Sequence, residues 1–328
     1  MADVTTGREG GPVDGVPPNP ILISPISVVV LTFMEEINIE HCLRSVAGWA
    51  ADIHVVDSGS TDRTIEIARK FAHQIHVHPY IDHSTQIQYV LTEVPLKYEW
   101  LLILDADHVV SHELKHSIDS VLETDSYSAV DLFYFPQMYE FQGQPIRSLR
   151  KWGRLLRHQN VVVEGGELVD FRFRPSGAVG YLRGQVTERN LKEYDLDFWI
   201  DKHQKFASRM AIEECLRRTG EIRWTIRPRL FGHPDERLVW LKNRWYSLPL
   251  FLRPFLFFSY RYVWRLGFLE GRTGFVFHFM QAFWFRMIVD IKLFALERRI
   301  AAGDLGVAEL LKTYAHDSGA RPDRGSTC

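Results

Sequence analysis

The sequence predicts an α/β protein, an open mixed sheet with helices on both faces, followed by a C-terminal region of amphipathic helices. Three observations carry this expectation. Short apolar runs rich in β-branched residues lack polar alternation, as strands covered on both faces do. Amphipathic stretches with capping residues separate those runs. From Pro228 onward the composition shifts to aromatic residues and arginine.

Taken in order, ISVVVLTF from Ile26 reads as a buried strand and NIEHCLRSVAGW as a helix opened by Asn38. DIHVVD is a second strand. STDRTIEIARKFA is a helix with Thr61 and Asp62 in its first turn, where they suit capping and the helix dipole. QIHVHPY is a third strand and TQIQYVLTEV a third helix. WLLILDAD is a fourth strand, SHELKHSIDSVLE a helix capped by Ser111, and AVDLFYFP a fifth strand. These elements form one open doubly wound domain over residues 24–225. Residues 1–23, rich in Gly and Pro and without an apolar core, are expected to be a disordered lead, and residues 315–328 a disordered tail.

The region 226–314 carries a different signal. From Pro228 to Arg299 there are ten Arg and two Lys against five acids, a surplus of seven positive charges. Arg253, Arg261, Arg265, Arg272 and Arg286 interrupt the apolar runs, and the longest stretch free of charged residues, Thr273–Phe285, is too short for the ~20 residues of a spanning helix. Helices with a basic face and a Trp/Phe/Leu face lie in the membrane interface and favour anionic lipid. A peripheral or monotopic protein is therefore expected, on the cytoplasmic face of the inner membrane. The net charge of the whole chain is −2, which gives no reason to expect nucleic-acid binding. Cys42, Cys215 and Cys328 form no CxxC pair and read as ordinary thiols.

In open α/β sheets, ligands bind at the carboxyl ends of the strands. The first strand here ends in TFMEE, the second in DSGSTD and the fourth in DADH. Asp105 and Asp107 are two carboxylates one residue apart where a buried strand meets solvent. Like charges so close are costly without a cation, and magnesium or manganese held by one or two carboxylates plus substrate phosphates fits. Asp57 can accept from a ribose or base, and Gly59 permits a tight turn. His112-Glu113-Leu114-Lys115-His116 matches the HExxH zinc-hydrolase pattern, with Glu140 available as a third ligand, but Asp119 stands where the extended motif needs Gly. No nucleophile elbow and no P-loop occurs.

The order ISVVVLTFMEEINIEHCLRSV, DIHVVDSGSTDRTIEIA, WLLILDAD resembles the start of family 2 glycosyltransferases of the GT-A (Rossmann-like) fold. The similarity extends over roughly residues 25–300, toward bacterial enzymes of lipopolysaccharide-core and exopolysaccharide synthesis. The resemblance implies a nucleotide-sugar donor and a lipid-linked or polysaccharide acceptor. It implies nucleoside contacts from Thr32, Glu35 and Asp57. Asp105 and Asp107 would face the ribose and the metal–diphosphate, with Asp107 the closer ligand and His108 assisting. Three positions depart from the family pattern: Met34 in place of Asn, Gln86–Tyr89 in place of Arg-Asn, and Thr187 in place of His.

Enzymes of this family that the chain resembles invert the anomeric centre, using an Asp or Glu base on the acceptor hydroxyl. The candidates are Glu164, Glu167, Asp170 and Glu188, of which Asp170 is expected first and Glu167 second, beside a Gly165–Gly166 loop. Arg147, Arg150, Lys151 and Arg154 precede that loop and suit phosphates or a basic surface. Transfer to polyprenyl phosphate is a close variant. The readings from other classes are a zinc hydrolase using His112, Glu113 and His116, and a non-catalytic membrane scaffold that rests on Met34.

Overall fold

The computed structural model describes residues 23–147, 150–164 and 167–317. Residues 1–22 of the expected lead, the Gly165–Gly166 loop and residues 318–328 of the expected tail lie outside the described residues. The elements run β1 (Ser24–Thr32), α1 (Ile39–Val46), β2 (Ala50–Asp57), α2 (Thr64–Ala68), β3 (Gln74–Val77), α3 (His83–Glu93), β4 (Trp100–Asp105), β5 (His108–Val110) and α4 (His112–Leu122). They continue β6 (Val130–Phe141), β7 (Gln144–Ile146), β8 (Lys151–Arg157), β9 (Val161–Glu164), β10 (Arg172–Pro175), β11 (Ala178–Tyr181) and β12 (Val186–Glu188). Six helices close the described chain: α5 (Leu196–Arg218), α6 (Pro234–Tyr246), α7 (Arg253–Ser259), α8 (Gly271–His278), α9 (Phe285–Ala301) and α10 (Val307–Asp317).

Ten strands form one mixed sheet in the order β3-β2-β1-β4-β8-β6-β12-β5, with β7 and β11 also pairing with β6. The first four strands of that order are parallel, and β8 pairs antiparallel on both sides. The expected α/β open sheet is what forms. The apolar runs lack polar alternation because both faces are covered. Val28 and Val30 pack with Ile39, Leu43 and Leu114 on one face, and Val29 and Leu31 with Ile87 and Val90 on the other. β4 repeats the pattern, with Leu102 and Leu104 on the first face and Leu101 and Ile103 on the second.

Several local expectations differ from the structure. Ser111 caps α4 as predicted, accepting from Leu114 N at 3.2 Å. Asn38 makes no cap on α1; its side chain is used elsewhere. α2 begins only at Thr64, with Asp62 Oδ1 accepting from Thr64 N ahead of it. α10 continues to Asp317, past Ala315 where a tail was expected, because Leu310 and Tyr314 bury against Cys215 and Leu216 of α5. That packing crosses residue 225, as does a second cluster joining Trp199 and Ala207 of α5 to Phe285 and Val289 of α9.

Candidate active site

Four strand ends and the β12 segment build the site. Leu31 at the end of β1 pairs with Asp105 at the end of β4. One residue on, Thr32 is buried, with an Oγ1 that finds no partner among the described residues. Asp105 leaves its side chain 40% exposed and Asp107 13%. Between them the backbone turns back, tied by Ala106 N to Leu31 O at 3.1 Å, and β5 starts at once with His108.

His108 is buried against the edge of Trp152, ring centroids 4.5 Å apart. Its Nδ1 accepts from Asp105 N at 2.7 Å, which places the ring proton on Nε2, 3.8 Å from Asp107 Oδ1. Asp107 is fixed from the other side: Asn190 Nδ2 donates to its Oδ2 at 3.0 Å, and Arg189 N donates to its carbonyl at 2.8 Å. Asn190 also accepts from Asn38 Nδ2 at 3.1 Å. Asn38 therefore links the first motif to the segment after β12, donating to Glu35 Oε2 at 2.7 Å as well.

Glu35 is ion-paired with Lys192 through its other oxygen. Burial raises its pKa, against the lowering by Lys192 and Asn38. Met34 sits at φ +56°, a left-handed conformation that Asn tolerates far better than Met. Its Sδ lies 3.3 Å from Thr61 N and its N donates to Ser60 Oγ at 2.8 Å, so it holds the DSGSTD turn. Gly59 takes φ +99° in that turn, as the tight bend requires. Asp57 is buried and occupied by the turn itself, accepting from Gly59 N at 2.9 Å, Ser60 N at 2.8 Å and Ser60 Oγ at 2.5 Å.

The two expected bases are held differently from Asp105 and Asp107. Asp170 accepts from Arg150 Nη2 at 2.6 Å and lies 3.5 Å from Arg172 and 3.9 Å from Arg154. Glu167 is clasped by Arg172 and by Lys242 of α6. Burial alone would raise both pKa values. The arginines outweigh it and hold Asp170 well below the carboxylate range, and Lys242 with Arg172 brings Glu167 to about 2. A carboxylate so paired is a weak proton acceptor, and its geometry reads as the anchor of the β9–β10 hairpin on α6.

Glu188, the last of the four candidates, lies where the others do not. In the antiparallel pair of β12 with β5 it stands opposite His108, and in the parallel pair with β6 it neighbours Tyr139. It is half-buried and accepts from Gln137 Nε2 at 2.7 Å. Burial, then Asp107 and Glu193, push its pKa well above the usual carboxylate value.

Four residues next to the elements of this site carry buried polar atoms without a partner among the described residues: Thr32 Oγ1, Gln137 Oε1, Trp152 Nε1 and Arg154 Nε. Such atoms are rare in a finished interior and mark a place where solvent or a ligand completes the bonding. Arg154 is nearly inaccessible, stacked 3.9 Å over Phe171 and 4.3 Å over Trp152, with its pKa brought by burial down to about 10. Asp105 and Asp107 are hard oxygen donors, one well exposed, and they suit a magnesium- or manganese-type ion finished by phosphate oxygens. Among the described residues no three His, Cys, Asp or Glu side chains gather as a complete metal cage. His112, Glu113 and His116 stand exposed along α4, which makes the HExxH pattern a solvated helix face.

Spacing within the chain revealed Asp105, Asp107 and Asp57, but not the side chains that hold them. Asn190, Lys192, Trp152 and the placement of Glu188 arise from strand pairing across more than forty residues, and only the VTERN segment hinted at them.

The fold places this acidic site at the strand ends of a mixed α/β sheet. Residues 27–174 match the family described as glycosyl transferase family 2. It is 34% identical over 101 residues to an uncharacterized glycosyltransferase of Rickettsia bellii (strain RML369-C), covering 31% of this chain and 34% of that one. It is 27% identical over 133 residues to the SPbeta prophage-derived glycosyltransferase SunS of Bacillus subtilis (strain 168), covering 40% and 31%. The chain spans about a third of the length of the curated relatives it matches.

Among solved structures, S. aureus TarS (residues 1–349) aligns at TM-score 0.38 and 14% identity over 85% of this chain and 92% of that one. Glucosyl-3-phosphoglycerate synthase from Mycobacterium tuberculosis, in complex with Mn2+, UDP and glucosyl-3-phosphoglycerate, aligns at TM-score 0.39 and 14% identity over 61% and 82%. Both likenesses are too remote to carry an argument.

Proposed function

We propose that this protein transfers a sugar from a nucleotide-sugar donor, with a divalent metal and inversion at the anomeric carbon, onto a lipid-linked or polysaccharide acceptor in bacterial envelope synthesis. The observation that carries the reading is the pair Asp105 and Asp107 at the end of β4, together with buried polar atoms of Thr32, Gln137, Trp152 and Arg154 that lack a partner among the described residues. Thr32, Glu35 and Asp57 line the same strand ends and suit the nucleoside, Asp57 chiefly by shaping its turn. Asp105 and Asp107 would hold a magnesium or manganese ion, which when bound neutralises charge on the departing diphosphate.

The chain's own proton chemistry then falls to a carboxylate at the acceptor side. Glu188 replaces Asp170 as the best-placed base: it stands opposite His108 and is bonded to Gln137, where Asp170 is paired with arginine. Asp170 and Glu167 position the acceptor-side hairpin. The basic, aromatic C-terminal helices would rest on the cytoplasmic face of the inner membrane. Among the described residues no helix is long and apolar enough to cross a membrane, and exposed Phe255, Leu256, Val263, Trp264, Phe268 and Leu269 supply an apolar face.

Thermal shifts of detergent-solubilised protein with UDP, GDP, CDP and dTDP, each with manganese or EDTA, test the donor site. One nucleotide is expected to raise Tm only with manganese, and Asp107→Ala to abolish the shift, since a ligand of the folded state must stabilise it. His112→Ala is expected to leave the shift intact. No shift with any nucleotide, in folded protein, would remove the reading in favour of a scaffold.

A further inference from the structure

Two arginines of the C-terminal region sit among aromatic rings and, among the described residues, neither is bonded to a carboxylate. Arg253 shows the alternative: it is fully buried and bonded to both Glu214 and Asp290. Arg261 is different. It lies in a π-helical turn (Tyr260–Trp264), a local geometry often found at functional sites, with its guanidinium 5.9 Å from the Phe257 ring and 5.6 Å from Phe277. Arg286 begins two residues after a second such turn, Phe279–Trp284, and stands 5.6 Å from the same Phe257 ring. Its Nη1 lies 3.7 Å from the Met210 sulfur. Glu270 is the acid within electrostatic reach of Arg261, but its oxygens are taken by His278 Nε2 at 2.8 Å and Arg147 N at 2.9 Å.

Two half-buried guanidinium groups share one ring, and among the described residues neither is bonded to an acid, an arrangement that an anion relieves. Burial pulls the pKa of Arg286 down to about 10, with Arg261 and Arg253 adding to the fall against Tyr246 and Glu214, which raise it. The surroundings narrow the choice of anion. Trp264 is 80% exposed, and Val263, Phe268 and Leu269 beside it are exposed too, so the site opens onto apolar surface. It also leads inward. His108, Glu188 and Tyr139 stand side by side on β5, β12 and β6, and the Tyr139 ring is 5.8 Å from Phe277, beneath Arg261. That path joins the pair to the aspartate site over roughly 20 Å.

We propose that Arg261 and Arg286 bind the phosphate end of a lipid, a monoester or diphosphate on a membrane-anchored chain, and so seat a lipid-borne acceptor with its head toward Glu188. The planar guanidinium fork matches phosphate oxygens two at a time, and the aromatic walls exclude the water that would compete. The word acceptor rests on the glycosyl-transfer reading; the phosphate site does not.

The test is vesicle flotation of the full chain. Phosphatidylcholine vesicles carrying phosphatidic acid are compared with vesicles carrying phosphatidylglycerol at matched surface charge. Binding to the monoester is expected to be about tenfold tighter or more. Arg261→Gln should erase that preference and leave phosphatidylglycerol binding unchanged, and Arg286→Gln should do the same if it folds. Arg265→Gln with Arg272→Gln, both exposed, should keep the preference. Equal binding by the wild type, or a preference that survives in folded Arg261→Gln, overturns the proposal. Stabilisation by millimolar inorganic phosphate with no vesicle preference would assign the site to free phosphate and overturn the lipid. Nucleotide thermal shifts on the same preparations separate the two readings. Their absence in the wild type would sink glycosyl transfer while a lipid-phosphate preference stood. Their presence without the preference would sink only the lipid site.

Discussion

Replacing Arg253 by Met should unpin the C-terminal helices from the rest of the protein. Arg253 is buried at the start of α7 and donates to Glu214 of α5 at 2.7 and 2.9 Å and to Asp290 of α9 at 2.8 and 2.6 Å. Breaking a buried pair by removing one partner costs about 3–5 kcal/mol, because the remaining charge is left without compensation. The two acids are not equally exposed to that loss. Glu214 keeps Arg218, at 2.8 and 3.0 Å, whereas among the described residues Asp290 keeps only Phe251 N at 2.8 Å. The lower end, about 3 kcal/mol, is therefore expected, or roughly 6 °C in Tm for a chain of this size. Differential scanning calorimetry of wild type, Arg253→Met and Arg253→Met/Asp290→Asn measures it. The double variant should recover most of the loss, since the orphaned charge is gone. A single-variant loss under about 1 kcal/mol, or no recovery in the double, would mean that α5, α7 and α9 are not joined through this cluster.

Two further predictions concern the site and the acid range. Glu188→Gln should keep the manganese-dependent nucleotide shift but slow nucleotide release from the donor, in the presence of a membrane-lipid extract, by about 10²–10⁴-fold. Asp170→Asn should instead lower Tm, and a Glu188→Gln enzyme at full rate would return the base to Asp170. His203, stacked 3.5 Å on Trp199, has its pKa lowered by burial to about 4. Between about pH 6.5 and pH 4 the unfolded chain binds the proton and the folded chain does not. Stability from this site is thus present above 6.5 and falls as pH drops, by up to about 3 kcal/mol. His203→Phe should flatten that part of the Tm–pH curve, and an unchanged slope would refute the assignment.

The first half of the sheet was legible because its strands obey a local rule. β1, β2 and β4 are buried on both faces, so each carries an unbroken apolar run (Val28–Leu31, Val55–Val56, Trp100–Leu104) that announces itself. The strands from β7 to β12 obey no such rule. β12 is Val-Thr-Glu, and it is a strand only because β6 and β5 offer partners on either side. The same distinction governs the site. Asp105 and Asp107 could be read from the strand that carries them, but the worth of an acid as a base depends on its neighbours. Asp170 and Glu188 are alike in sequence, and Arg150, Arg172 and Arg154 around one, Asp107 and Glu193 around the other, drive their pKa values in opposite directions. Met34 carries a related lesson: its left-handed backbone explains why a residue such as Asn suits that position, a requirement of conformation that side-chain chemistry alone does not reveal.

The arginines of the C-terminal region extend that argument from a single residue to a surface. By composition Arg253, Arg261 and Arg286 are equal contributors to a basic, aromatic face, and a sum of charges treats them alike. Their surroundings divide them. Arg253 is neutralised twice over and acts as internal structure, so it adds nothing to attraction for anionic lipid. Arg265 and Arg272 are exposed, where salt screens them and their pull on a membrane is general. Arg261 and Arg286 are half-buried among rings and, among the described residues, bonded to no acid, so salt screens them less than the exposed pair. A surface built in this way attracts membranes through its exposed charges and selects a headgroup through its shielded ones. The two effects separate by salt: raising ionic strength should weaken vesicle binding overall while leaving the monoester preference nearly unchanged.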